Sequence, residues 1–198
     1  EDACLSRIRV AQLAAEVGFP AGAINIVTGY GHEVGDALAR HAGIDHISFT
    51  GSPKVGTLIQ QAAAERHCPV TLELGGKSPQ IVFADADLDA AIPVIINAIV
   101  QNAGQTCSAG SRVLIERGIY GQLIGRLGKA FEALRVGPAA MDLDVGPLIR
   151  HTQQQRVWDF LSDAQAAGIA TIAQGHVVDE APETGFYQAP VLLADVPV

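Results

Sequence analysis

A layered α/β fold built on parallel strands is what this sequence predicts, on three observations. Short apolar strands alternate with segments of helical periodicity, the strands are apolar almost throughout, and turns bearing Gly or Pro separate them. Strands of that kind need cover on both sides, so the expected arrangement is parallel sheets with helices on both faces.

Taken in order, residues 3–17 carry Leu5, Ile8, Val10, Leu13, Ala14 and Val17 near helical spacing, and Gly18 with Pro20 stops that helix. Residues 23–27 read as a strand, 34–40 as a helix, 46–49 as a strand and 56–66 as a helix. Strands at 70–74 and 80–84 flank Gly75-Gly76-Lys77-Ser78-Pro79. A long apolar helix over 88–102 follows, with Asp85 or Asp87 as its N-cap, Gly104 as its stop, and Pro93 marking a kink or a late start. Residues 112–116 form a strand and 119–134 a helix. A further helix over 152–167 places Val157, Phe160, Leu161 and Ala164 on one face, and strands at 169–173 and 190–193 close the chain. The glycine pair at Gly75-Gly76 is the expected boundary, dividing residues 1–74 from 75–198.

Composition narrows the function. A net charge of −8 and only 5% aromatic residues argue against nucleic acid and against an anionic membrane surface. Any anionic cofactor must therefore be held locally, by backbone N–H groups. The apolar run at 88–100 is shorter than the ~20 residues of a membrane span and carries Asp89, Pro93 and Asn97. Cys4, Cys68 and Cys107 are odd in number and widely spaced, which suggests neither a disulfide framework nor a metal site. A reducing, cytoplasmic setting is expected. Glu1-Asp2-Ala3-Cys4 offers no Met and no signal peptide, and reads as the start of an internal piece.

Three segments could carry chemistry. In Phe49-Thr50-Gly51-Ser52-Pro53-Lys54-Val55-Gly56 a strand turns into a helix. The helix N-terminus suits a phosphate and Ser52 could donate to it, although the same sequence also makes an ordinary capping turn. Glu73 alternates with Leu72 and Leu74 and shares a face with Thr71. It is either a solvated carboxylate or, beside the close approach that Gly75-Gly76 permits, a base whose pKa an apolar neighbourhood raises. Cys107 lies in the small, polar loop Gly104-Gln105-Thr106-Cys107-Ser108-Ala109-Gly110-Ser111-Arg112. Small neighbours leave its sulfur accessible and successive loop N–H groups could meet an oxyanion, whereas Cys4 and Cys68 read as inert core thiols. The preceding helix presents its negative end and disfavours a thiolate, so activation must come from elsewhere.

All three segments carry a family resemblance. Leu72-Glu73-Leu74-Gly75-Gly76-Lys77-Ser78-Pro79 resembles the glutamate signature of NAD(P)-dependent aldehyde dehydrogenases, and the Gly104 to Arg112 loop is similar to their cysteine signature, in the family's order and spacing. Gly51-Ser52-Pro53-Lys54-Val55-Gly56 resembles the family's Gly-Ser-Thr-x-x-Gly turn, with Pro53 departing from Thr, and the likeness covers essentially the whole chain.

The resemblance implies a Rossmann-type cofactor domain, its C-terminal half at residues 1–74, joined to the first part of a catalytic domain at 75–198, both incomplete in this chain. It implies Cys107 as nucleophile and Glu73 as the base that activates water. For NAD, with NADP as the other possibility, it implies contacts from Glu1, Gly51, Ser52, Leu74, Gly75, Gln153 and Arg156, the last standing where the family has lysine. It also implies an aldehyde substrate, a homodimeric or homotetrameric parent, and an inactive isolated piece, since the oxyanion-hole asparagine and the nicotinamide-ribose segment fall outside it. Two alternatives remain: acyl transfer to coenzyme A, and a non-catalytic piece that keeps the fold.

Overall fold

The computed structural model describes residues 2–197, and the chain divides into two compact units, Glu1–Gly75 and Gly76–Val198. Glu1, expected to contact a cofactor ribose, lies outside the described residues.

The first unit holds α1 (Cys4–Glu16), α2 (Asp36–Arg40) entered through a π-helical turn at Gly31–Gly35, β1 (Ile47–Gly51), α3 (Pro53–Ala64) and β2 (Val70–Leu74). β1 and β2 pair in parallel, from Ile47 opposite Val70 to Gly51 opposite Leu74. Their partly buried residues alternate with exposed ones, and α3 packs on both strands. Gly56 makes that approach possible, because a Cβ there would lie 2.7 Å from Leu74 Cδ2.

The strand expected at 23–27 is absent, replaced by a turn and irregular chain. A strand exists through its ladder, and no described strand pairs with this segment, so Ile24, Ile26 and Val27 remain exposed despite their β propensity. α1 forms where its periodicity predicts but buries none of its residues. Cys4 and Cys68 are half-buried rather than core, with the Cys68 thiol 3.5 Å from the Ile44 carbonyl.

The second unit is more densely built. It comprises β3 (Pro79–Val82), α4 (Leu88–Val100), β4 (Arg112–Ile115), α5 (Tyr120–Glu132), β5 (Arg135–Val136), α6 (His151–Ala166), β6 (Ala170–Gln174), β7 (His176–Val177) and β8 (Val191–Ala194). β3 pairs β4 and β5 pairs β7 in parallel, while β6 and β8 run antiparallel with a bulge between Thr171 and Ala173. Asp87, not Asp85, caps α4, its carboxylate accepting from the Asp89 and Ala90 N–H groups, and the helix continues through Pro93.

Spacing in α5 explains the core. Leu123, Leu127 and Phe131 recur every fourth residue, form one stripe, and are almost fully buried. Leu123 and Leu127 join Val82, Leu88, Ile92 and Ile95 in one cluster, and Phe131 joins Val100, Leu134, Val136, Val145 and Ala173 in a second. In α6 the expected face is only partly realised: Ala164 is buried, but Phe160 is 64% exposed because it turns out beneath the Arg156 guanidinium instead of inward.

Candidate active site

In the first unit the parallel register ends both strands together, so the turn after Gly51 and the glycine pair after Leu74 lie side by side at the C-terminal edge. The Gly75 N–H donates to the Gly51 carbonyl at 3.2 Å and ties them. Open α/β sheets present ligand sites at that edge. Ser52 caps α3 with extended backbone, its Oγ accepting from the Val55 N–H at 3.3 Å, and Pro53 follows at the first helical position. The capping turn is thus formed. It leaves the Lys54 N–H without an acceptor among the described residues and the Ser52 hydroxyl proton available. Gly51 has no side chain to obstruct the edge. These groups fit a phosphate ester: two donors at the positive end of a helix, beside a glycine.

Glu73 stands next to Thr50 across the ladder and shares the polar, exposed face with Ser48 and Thr71. The apolar neighbourhood expected around its carboxylate is not found among the described residues. Alternation sends Leu72 and Leu74 to the α3 side and leaves polar neighbours beside Glu73.

In the second unit α4 ends in an unusual way. Asn102, Ala103 and Gly104 all take positive φ, at 50°, 54° and 75°, so the chain reverses hand and throws the next residues clear of the helix. Cys107 sits on that loop with its side chain exposed. Ala109 N–H closes a turn onto the Thr106 carbonyl at 3.1 Å, while the Cys107 and Ser108 N–H groups donate to no acceptor among the described residues. Those open donors are what an oxyanion would need.

Three amide side chains that the sequence reading passed over fix this loop. Gln80, on β3, donates to the Gly110 carbonyl at 2.9 Å and to the Ile95 carbonyl of α4 at 3.3 Å, while the Gly110 N–H donates to Ala98 at 2.8 Å. A Cβ at Gly110 would come within 2.6 Å of the Gln80 amide and 3.0 Å of Ala98, so a larger residue would displace the amide that holds the loop. Upstream, Asn102 donates to the Gln105 carbonyl at 3.1 Å and Gln105 donates back to the Asn102 carbonyl at 3.0 Å. Glutamine at a strand position facing a glycine-rich loop was the only legible hint.

α6 holds Gln153, half-buried, and Arg156, exposed with its guanidinium 5.8 Å from the Phe160 ring centre. Its pose is set by buried Gln154, which donates to the Tyr187 carbonyl at 2.7 Å. Gly51, Ser52, Glu73, Leu74 and Gly75 therefore fall in the first unit, and Cys107, Gln153 and Arg156 in the second. Among the described residues no group of three His, Cys, Asp or Glu side chains could hold a metal, and no helix is long and apolar enough to cross a membrane.

An exposed thiol on a left-handed loop and a carboxylate at a strand's C-terminal end are features shared by unrelated enzymes. The model of the aldehyde dehydrogenase family matches residues 1–198. The chain belongs to the aldehyde dehydrogenase family.

Relatives in that family agree in sequence and shape. An aldehyde dehydrogenase of Emericella nidulans is 42% identical over 198 residues, which are 99% of this chain and 39% of that protein. A crystal structure from Burkholderia cenocepacia assigned to the aldehyde dehydrogenases is 74% identical with a TM-score of 0.98, covering 100% of this chain and 41% of that one. The aldehyde dehydrogenase of Bacillus cereus, solved as an NAD+ complex, is 39% identical with a TM-score of 0.91, covering 98% of this chain and 39% of that one. The chain spans about two fifths of the length of these relatives.

Proposed function

We propose that the protein to which this chain belongs oxidises an aldehyde to a carboxylic acid, with Cys107 as nucleophile and Glu73 as general base. The observation that carries the reading is Cys107 itself: an exposed thiol beside two open backbone donors, in a chain of this family. Residues 1–74 serve as part of the cofactor domain and 75–198 as part of the catalytic domain.

The Cys107 thiolate adds to the aldehyde carbon, and the oxygen, now bearing the negative charge, is met by the Cys107 N–H. NAD+, when bound, supplies the acceptor for the hydride that leaves this adduct. A thioester on Cys107 remains. Glu73 then takes a proton from water, the water oxygen bonds to the thioester carbon, and collapse releases the acid and returns the thiolate. An exposed Glu73 suits a base that must reach water.

The groups this chain supplies fit the cofactor. Ser52 and the start of α3, with Gly51, Leu74 and Gly75 at the sheet edge, would hold the pyrophosphate side, and Gln153 and Arg156 on α6 a cofactor ribose. An acidic Glu1 favours NAD over NADP, whose extra phosphate it would repel. NADP remains the other form to assay. A homodimeric or homotetrameric protein of the cytoplasm is the setting we assign, three unpaired thiols being at home in a reducing compartment.

Acyl transfer to coenzyme A is the second reading, and Glu73 argues against it because only hydrolysis needs a water-activating base. The test is a spectrophotometric panel of aldehydes with NAD+ and NADP+ on the full-length protein, run in ¹⁸O-labelled water. Reduced cofactor together with label in the acid is expected. Acyl-coenzyme A as the product, or no reduced cofactor from any aldehyde, overturns the proposal.

A further inference from the structure

Gln105 uses its whole amide on structure, and the pattern is directional. Its backbone N–H and its side-chain Nε2 both donate to the Asn102 carbonyl, at 3.1 and 3.0 Å, and its own carbonyl accepts from Asn102 Nδ2 at 3.1 Å. Those three bonds lock the left-handed turn that launches the Cys107 loop. The remaining atom, Oε1, leaves the loop altogether and accepts from the Ile149 N–H at 2.9 Å, forty-four residues along the chain. Ile149 stands two residues before α6, whose first turn carries Gln153, and the Gln153 N–H donates to the Arg150 carbonyl at 3.1 Å.

We infer that Gln105 is a positioning residue that couples the Cys107 loop to the entry of α6, so that one side chain sets the nucleophile and the Gln153 turn in register. The inference rests on the function proposed above, since it takes Gln153 as a ribose contact. Among the described residues, the two other glutamines with side-chain bonds near the loop and α6 do not duplicate the link. Gln80 ties the far end of the loop to α4, and Gln154 ties α6 to Tyr187, but neither joins the loop to α6. A neutral amide suits this place, because Oε1 accepts from Ile149 while Nε2 donates to Asn102, and neither an ionised carboxylate nor a hydrocarbon does both.

Loss of the coupling predicts two effects at once. With the turn unpinned, the Cys107 sulfur samples orientations away from the open N–H groups. With Ile149 released, the first turn of α6 loses its register. Misfolding of a fraction of the protein would lower kcat and leave KM unchanged, so a rise in the KM for NAD+ is the signature that a purely structural role cannot produce.

The experiment uses the full-length protein with Gln105→Leu, which removes both side-chain bonds, and Gln105→Glu, which keeps the shape and the acceptor for Ile149 but loses the donor to Asn102. The rate of iodoacetamide alkylation at Cys107 is measured without cofactor or substrate, followed by kcat and the KM for NAD+. Gln105→Leu is expected to slow Cys107 alkylation about three-fold or more, and to lower kcat about ten-fold with a several-fold rise in KM for NAD+. Gln105→Glu is expected to slow alkylation while sparing that KM. If Gln105→Leu does not fold, the isosteric Gln105→Glu still decides the loop's half of the proposal through alkylation, and Gln105→Met, which can accept only weakly from Ile149, decides the α6 half through KM. Wild-type alkylation and wild-type KM in these variants overturn the role of Gln105. Failure of the unaltered protein to turn over any aldehyde overturns the function beneath it, and the alkylation measurement, which needs no turnover, tells the two failures apart.

Discussion

The two units of this chain support their candidate residues in opposite ways. Around Glu73 the first unit offers a two-stranded ladder with α3 on one face and buried side chains no larger than Ala39, Ala62 and Ala63. Around Cys107 the second unit offers two apolar clusters beneath α4 and α5 and a set of glutamine bonds that hold the loop from both ends. A nucleophile must be aimed at a carbon, whereas a base need only reach a water. The contrast puts positional stiffness where the covalent step is proposed to take place.

The sharpest way to break that comparison is at the two residues themselves. Cys107→Ser in the full-length protein should lower turnover by about 10⁴-fold or more, because a serine without a dedicated base is a poor nucleophile at neutral pH. Steady-state NADH formation reads it. Glu73→Gln should lower steady turnover by about 10²-fold while sparing the first hydride transfer, since a base is needed only to activate water. Rapid mixing should therefore still show a burst of NADH. Loss of the burst would give Glu73 a part in activating Cys107 and end the division of roles.

Packing gives the next largest effect. Leu127→Ala should destabilise this chain by about 3 kcal/mol in urea titration, since Leu127 is wholly buried between the α4 and β3 side chains. Leu5→Ala, on a residue 79% exposed in α1, should change it by about 0.5 kcal/mol or less. Equal losses would show that α1 has a buried partner and that the first unit is better supported than its described contacts indicate.

Much of this architecture was legible from residues alone, and the misses share a cause. α5 and the Asp87 cap of α4 are local: a stripe every fourth residue and a carboxylate just before an apolar run. The strand expected at 23–27 depends on a neighbour to pair with, and sequence propensity carries no such information. The same holds for the antiparallel run of β6 against β8 and for the two-residue strands β5 and β7, which exist only through their ladders. At the site, Cys107 and Glu73 stood out because their motifs are contiguous. Gln80 and Gln105 did not, because each acts on a backbone group thirty or more residues away.

Helix caps allow a finer comparison, because each unit contains one built from a side chain. Ser52→Ala and Asp87→Ala should each cost about 1 kcal/mol, through loss of the bond to Val55 in one case and to Asp89 and Ala90 in the other. Only Ser52→Ala should also raise the KM for NAD+, several-fold, since the Ser52 hydroxyl proton faces the proposed pyrophosphate position. A matching rise for Asp87→Ala would reduce Ser52 to a cap alone.

The smallest effect should come from a bond at the rim of the better-packed unit. Tyr120, at the start of α5, donates to the Asp195 carboxylate at 3.0 Å, and its pKa is raised above 10.0, first by loss of hydration and then by that bond and the carboxylate's negative charge. The neutral phenol is the form the fold prefers. Its contribution is therefore complete below the unfolded-state pKa, and it is lost as pH rises through the higher folded value, when the phenolate would face Asp195 with like charge. Tyr120→Phe should accordingly cost about 0.5 kcal/mol at neutral pH, as expected for one partly solvated hydrogen bond, and the variant should lose less stability than the parent chain above pH ~10. Urea titrations of both proteins at pH 7 and on the alkaline side measure the difference. A cost at pH 7 as large as that of Leu127→Ala would mean that hydrogen bonds at the rim, more than the apolar clusters beneath α5, stabilise the unit that carries Cys107.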